Sequence, residues 1–169
     1  MPRGFKITPN FDTLSKTINL LGSELGNVIK DQAGAKYFKI VEDIRLNSKK
    51  YRQTNNNKYL DSIFKTLQSL EPNEIYIITK AFTIFFYLSN VAEQVFREHT
   101  LKNSNISINK KTNNELIFMP VFTAHPTESS RQSTLKKIYK IAEIIENNNS
   151  NSISEINSLI TQLWYTRDV

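Results

Sequence analysis

The chain contains no cysteine. That absence removes disulfides, thiolate metal sites and cysteine nucleophiles together, and it suits a reducing, cytoplasmic setting. Histidine is nearly as scarce: His99 and His125 are the only two, and their surroundings match no histidine-pair metal motif. With four glycines there is no Gly-rich phosphate loop, and no EF-hand loop occurs either. The opening stretch, MPRGFKITPNFDTLSK, lacks the apolar centre and small-residue cleavage site of a secretory signal, so no export is expected. Blocks of five or more basic residues are also missing. The net charge is +6 and the pI about 9.4, yet lysines and arginines are spread over every segment and mixed with acids. That pattern describes a solvated basic surface, not a nucleic-acid stripe.

What is present suffices for a real core. Of 169 residues, 39% are hydrophobic, enough for one domain of ordinary size. No internal repeat recurs at a fixed period. Twelve of the nineteen asparagines gather in TNNN, KNSNISINKKTNN and ENNNSNS. Their short amides compete for local backbone hydrogen bonds, so these clusters punctuate the chain into segments.

Between the clusters, apolar residues recur at helical spacing. Phe11, Leu14, Ile18, Leu21, Leu25 and Val28 form one stripe, and beyond Gly34 the residues Tyr37, Ile40, Val41 and Ile44 form another. A third helix carries Leu60, Ile63, Leu67 and Leu70, and Pro72 suits the first turn of a fourth. That fourth segment, EIYIITKAFTIFFYLSNVAEQVFREH, is apolar nearly all round and is expected to be buried. Lys80, Asn90, Glu93 and Gln94 argue against a membrane span, which needs ~20 apolar residues. Glu93 and Arg97 stand four apart and can pair on one face. Leu135, Ile138, Ala142 and Ile145 mark a further helix, and Ile153, Ile156, Ile160 and Leu163 a last one. The expected layout is helices over about 11–100, a loop over about 102–114, a strand over about 115–124 and helices over about 127–169. The end at Val169 carries no helix-stop signal and reads as a cut.

One stretch, FTAHPTESSR at 122–131, asks for chemistry. The preceding ELIFMPVFTA is continuously apolar and rich in Phe, Ile and Val, the mark of a strand buried on both faces. Pro126 biases His125 towards extended backbone, at the carboxyl end of that strand, where parallel α/β folds place ligands. Thr127 suits an N-cap, with Glu128, Ser129 and Ser130 in the first helical turn. Free N–H groups there attract anions, and the Arg131 guanidinium sits one turn in. His125 can exchange a proton near neutral pH, or it can be a hydrogen-bonded turn residue; the spacing alone leaves both open. His99 reads as a solvated residue near a helix end. Ser129, Ser130 and Ser133 have no triad partner in view, and capping or helix-face roles suit them better.

TAHPTE followed by Arg131 resembles the histidine motif of the phosphoenolpyruvate carboxylase family. Four other stretches resemble that family in order: LLGSELGNVIKDQAG, FKIVEDIRLNSKKYR, KAFTIFFYLSNVAEQVFRE and LWYTRDV, the last being similar to the start of a Trp-x-Thr segment. The resemblance implies the amino-terminal part of a (β/α)8 barrel embedded in an all-helical shell, so the chain is mainly α with one or two short strands. It implies conversion of phosphoenolpyruvate and bicarbonate to oxaloacetate and phosphate, feeding the tricarboxylic acid cycle, with magnesium or manganese. It implies a cytoplasmic homotetramer that binds neither nucleic acid nor membrane. His125 matches the catalytic histidine of the motif, and Arg131 and Thr127 would bind the substrate anion. Gln132 stands where the family has a second arginine, and Arg167 where it commonly has an acid. Intact family members are several times longer, so the metal ligands, none of which lies in this chain, are expected beyond residue 169, and the chain alone is expected to be inactive. The competing expectation is a non-catalytic helical interaction module whose apolar faces bind a partner helix.

Overall fold

The computed structural model describes residues 11–103, 132–147 and 152–166, and every regular element among them is an α-helix. Six follow one another: α1 (Phe11–Gln32), α2 (Ala35–Thr54), α3 (Asn57–Gln68), α4 (Pro72–Asn103), α5 (Gln132–Glu146) and α6 (Ile153–Trp164). The mainly helical expectation holds. α4 runs to Asn103, so helix takes the first two residues of the expected loop at 102–114. The rest of that loop, the strand at 115–124 and residues 127–131 lie outside the described residues, and with them the barrel expectation.

The punctuation follows backbone chemistry. α1 ends where Ala33 and Gly34 both donate N–H to the Ile29 carbonyl, and Gly34 takes φ 104°, ψ 161°, a region open to glycine and strained for residues with a Cβ. At the TNNN cluster, Asn55 closes α2 in the left-handed region at φ 51°, its N–H bonded to the Tyr51 carbonyl. Asn56 then caps α3, its side-chain oxygen accepting from the Lys58 N–H at 3.1 Å. α4 starts at Pro72 as expected, and the Glu74 carboxylate reaches back to the Glu71 N–H at 3.0 Å, one half of a capping box.

α4 is the central helix, packed against α1, α2, α5 and α6. Its Ile78, Ala81, Ile84, Leu88, Val91 and Ala92 are buried with Leu21, Leu25, Val28 and Ile29 of α1, Ile141 of α5 and Ile156, Leu159, Ile160, Leu163 and Trp164 of α6. Among the described residues it is the one helix long and apolar enough to cross a membrane by length and composition. The same apolarity suits the middle of a helical bundle, where it lies. Burial is not all round, however: Phe86 is 62% exposed and Tyr76 55%. The described neighbours leave these positions of the helix uncovered. Glu93 and Arg97 do pair, at 2.5 Å, on the exposed side, where such a pair contributes little.

Three stripes also differ from the sequence pattern. α3 buries none of its residues, because among the described elements it packs chiefly on α2 and leaves Phe64 54% exposed. On α5 the deepest positions are Thr134 and Ile141, both 0% exposed, with Ile138 and Ile145 beside them. The buried face is rotated by about one residue from the Leu135-based stripe, because contact with α4 and α6 outranks apolarity alone. On α6 the inward face is wider than expected and excludes Ile153, which is 46% exposed.

Candidate active site and its helical support

His125, Thr127 and Arg131 lie outside the described residues, as does the strand expected to present the histidine. The structure supplies the frame on either side of them. α4 ends at Asn103, α5 begins at Gln132 directly after Arg131, and these two helices pack against one another. The first turn of α5 carries Thr134, fully buried, whose hydroxyl has no hydrogen-bond partner among the described residues. The Ser89 hydroxyl of α4 is likewise buried and unpartnered among them. Ser133 and Gln132 are exposed. His99 is exposed near the end of α4, as expected of a solvated residue.

Charged groups tie the helices at their rims. Lys36 of α2 donates to Glu74 of α4 at 2.5 Å, and Tyr37 donates to the same carboxylate at 3.4 Å. The Lys36 ammonium, followed by the Glu71 N–H, holds the Glu74 carboxyl below its ordinary range, and Glu74 in turn holds Lys36 above its own. Glu42 grips Arg45 through two bonds of 2.9 and 2.8 Å and raises its pKa. Lys140 of α5 meets Glu155 of α6 at 2.9 Å, which raises Lys140. Among the described residues no group of three or more His, Cys, Asp or Glu side chains converges.

Between α1, α2 and α4 runs an open groove of about 330 Å³. Gly22 and Gly26 form its floor, Phe38, Phe82 and Phe85 its walls, and Lys30 part of its rim. Phe38 packs on Gly26 and carries the Lys30 ammonium 4.1 Å above its ring, so the groove's glycines are there to admit aromatic rings.

The feature that sequence reasoning passed over is a junction between α4 and the end of α6. Lys80 is buried at 9% exposure and donates to the Thr166 carbonyl at 3.2 Å. Trp164 is buried beside it, 8% exposed, and the Tyr165 hydroxyl donates to the Gln32 side chain at the end of α1. A signal for it was present in the sequence: one lysine inside an otherwise apolar helical segment. Its partner, a backbone carbonyl 86 positions away, leaves no trace in side-chain pattern.

Comparison with known proteins agrees with this frame. The family model for phosphoenolpyruvate carboxylase matches residues 14–116 and 99–169. A phosphoenolpyruvate carboxylase of Haemophilus influenzae (strain ATCC 51907 / DSM 11121 / KW20 / Rd) is 29% identical over 192 aligned residues, covering 96% of this chain and 22% of the relative. Those of Photorhabdus laumondii and Roseiflexus castenholzii are each 28% identical, covering 94% of this chain and 21% and 20% of their own lengths. The chain thus spans about a fifth of the length of the curated relatives it matches. The matched residues run from Leu14 in α1 to beyond the end of α6, His125 and Arg131 with them: the chain belongs to the phosphoenolpyruvate carboxylase family.

Proposed function

We propose that this chain is the amino-terminal part of a phosphoenolpyruvate carboxylase, the enzyme that joins bicarbonate and phosphoenolpyruvate into oxaloacetate and phosphate. The observation that carries the reading is the family match across residues 14–169, which takes in FTAHPTESSR. In this reading bicarbonate accepts the phosphoryl group, carboxyphosphate breaks down to carbon dioxide and phosphate, and the enolate takes up the carbon dioxide. His125 transfers the proton that accompanies the breakdown of carboxyphosphate, a task suited to an imidazole near neutral pH. Arg131 and Thr127 bind the substrate anion, the guanidinium through its fork and the threonine at a helix start. Magnesium or manganese, with ligands beyond residue 169, neutralises phosphoryl and enolate oxygens when bound. The helical bundle serves as wall and support for that site. A cytoplasmic homotetramer without nucleic-acid or membrane partners completes the proposal.

The half-covered faces of α3 and α4 suit a bundle that is one portion of a larger enzyme. The same faces would serve a helical interaction module, but that reading gives FTAHPTESSR no task. The test starts from the coding sequence downstream of Val169. A reading frame that continues for the length of the relatives is expected, and its product should form oxaloacetate in a bicarbonate-dependent way, followed by coupled reduction to malate. His125→Asn in that product should abolish turnover and leave its helical spectrum intact. Wild-type turnover of the variant removes His125 from the mechanism, and bicarbonate-dependent oxaloacetate from the purified 169-residue chain removes the reading that the chain is incomplete.

A further inference from the structure

Lys80 stands in the wrong company for a cation. It lies on α4 two residues from buried Ile78 and one from buried Ala81, at 9% exposure. Taking an ammonium out of water is costly unless its protons are accepted and its charge is answered. Both conditions are met by the end of another helix. The last turn of α6 carries the negative end of its macrodipole; its Thr161, Gln162 and Leu163 carbonyls accept from the Tyr165 N–H, the Thr166 hydroxyl and the Thr166 N–H, but α6 has no basic residue in its last turn to answer the dipole. Lys80 supplies what α6 lacks: its Nζ donates to the Thr166 carbonyl at 3.2 Å, just beyond the helix end at Trp164. The Tyr76 hydroxyl accepts a second proton at 3.4 Å. The charge also lies 5.5 Å from the centre of the Tyr76 ring and 5.9 Å from that of Trp164, within cation–π range.

Three ties therefore converge on three consecutive residues. Trp164 is held by burial in the core, Tyr165 by its hydroxyl on Gln32 of α1, and Thr166 by the Lys80 ammonium. Burial alone would anchor the helix without orienting the backbone that follows it. A bond to the Thr166 carbonyl orients that peptide plane directly.

We propose that Lys80 is a positioning residue: a cationic cap, supplied to α6 by a different helix, that fixes the peptide at Thr166 and so sets the direction in which the chain leaves the bundle. On the function proposed above, the rest of the enzyme follows in sequence, and Lys80 fixes the last described peptide before it.

Trp164 is the only tryptophan of the chain, which makes the junction observable without any activity assay. Lys80→Met keeps the length and packing of the side chain and removes the charge and the donors; Lys80→Arg keeps charge and donors. Both are compared with the wild-type 169-residue chain by acrylamide quenching of Trp164 and by amide hydrogen exchange of the segment from Leu163 onward, with the buried stretch Leu21–Ile29 of α1 as internal reference. Lys80→Met should speed exchange at Tyr165 and Thr166 roughly tenfold, the factor expected for losing one charge-assisted hydrogen bond. Quenching of Trp164 should rise while protection in α1 is retained, and Lys80→Arg should restore the wild-type values. The proposal is overturned if Lys80→Met leaves quenching and local exchange unchanged, if exchange rises equally in α1 and α6, or if Lys80→Arg behaves as Lys80→Met. Should Lys80→Met not fold, Lys80→Gln retains a donor for Thr166 without charge, and unaltered Trp164 quenching in that variant sinks the charge-based cap. None of these readouts depends on carboxylation, so the proposal and the enzyme assignment fail separately.

Discussion

Gly22 and Gly26 lie one helical turn apart on the same face of α1, and alanine at the two positions should have opposite effects. In a helix interior, replacing glycine by alanine gains ~1 kcal/mol from backbone entropy when the added methyl meets no obstacle. At Gly22 a Cβ finds Phe85 Cε2 at 3.6 Å, ordinary van der Waals contact. Gly22→Ala should therefore stabilise the chain by up to ~1 kcal/mol, or ~2–4 °C in Tm for a chain of this size. At Gly26 the same Cβ meets Phe38 Cε2 at 2.9 Å, closer than carbon atoms tolerate. Phe38 must then turn away from the Lys30 ammonium stacked on it, or α2 must lift from α1. Overpacking of this kind costs ~1–3 kcal/mol, which matches or exceeds the entropic gain. The two variants should therefore differ by ~1–3 kcal/mol in favour of Gly22→Ala. Urea unfolding followed by far-ultraviolet circular dichroism measures both, and unchanged m-values would show that the denatured state is not responsible. Phe38→Leu in the Gly26→Ala background should recover part of the loss, the mark of two groups in contact. If Gly26→Ala is as stable as Gly22→Ala, the close approach of α2 to α1 described here is wrong.

Two further outcomes follow from buried and paired groups. Thr134 has a fully buried hydroxyl without a partner among the described residues, so Thr134→Val, nearly the same shape, should be neutral or stabilising by up to ~1 kcal/mol in the same unfolding assay; a loss above that would reveal a partner for the hydroxyl. Glu74 has its pKa lowered in the folded state by Lys36 and the Glu71 N–H, so its contribution is present above the unfolded carboxyl value and fades as pH falls through the folded one. Lys36 has its pKa raised, so its contribution is present below the unfolded lysine value and fades as pH rises through the folded one. Glu74→Gln should flatten the acid side of the stability profile below about pH 4.5 and make stability less sensitive to salt near neutrality. An unchanged acid limb in Glu74→Gln would show that the α2–α4 tie contributes nothing.

Much of the helical layout was legible because it depends on neighbours in sequence. The stripe from Leu14 to Val28, the glycine at 34, the asparagines at 55 and 56 and the proline at 72 each act within a turn or two of backbone, and each does in the structure what its chemistry dictates. The reading of FTAHPTESSR rests on local facts of the same kind, a proline, a cap residue and an arginine within a turn, and it lies outside the described residues. The depth of burial was not legible. α3 has as good a stripe as any helix here and buries none of it, because among the described elements it packs chiefly on α2. The inward face of α5 turned to admit Thr134, since two helices press on it from directions that no single segment encodes. Lys80 marks the same boundary most clearly. Its sequence position says only that a cation interrupts an apolar helix; that it caps α6 depends on a carbonyl 86 residues away, brought within 3.2 Å by packing alone. Periodicity and punctuation are short-range and survive in the sequence, whereas which face is covered, and which charge answers which dipole, is decided where helices distant in sequence meet.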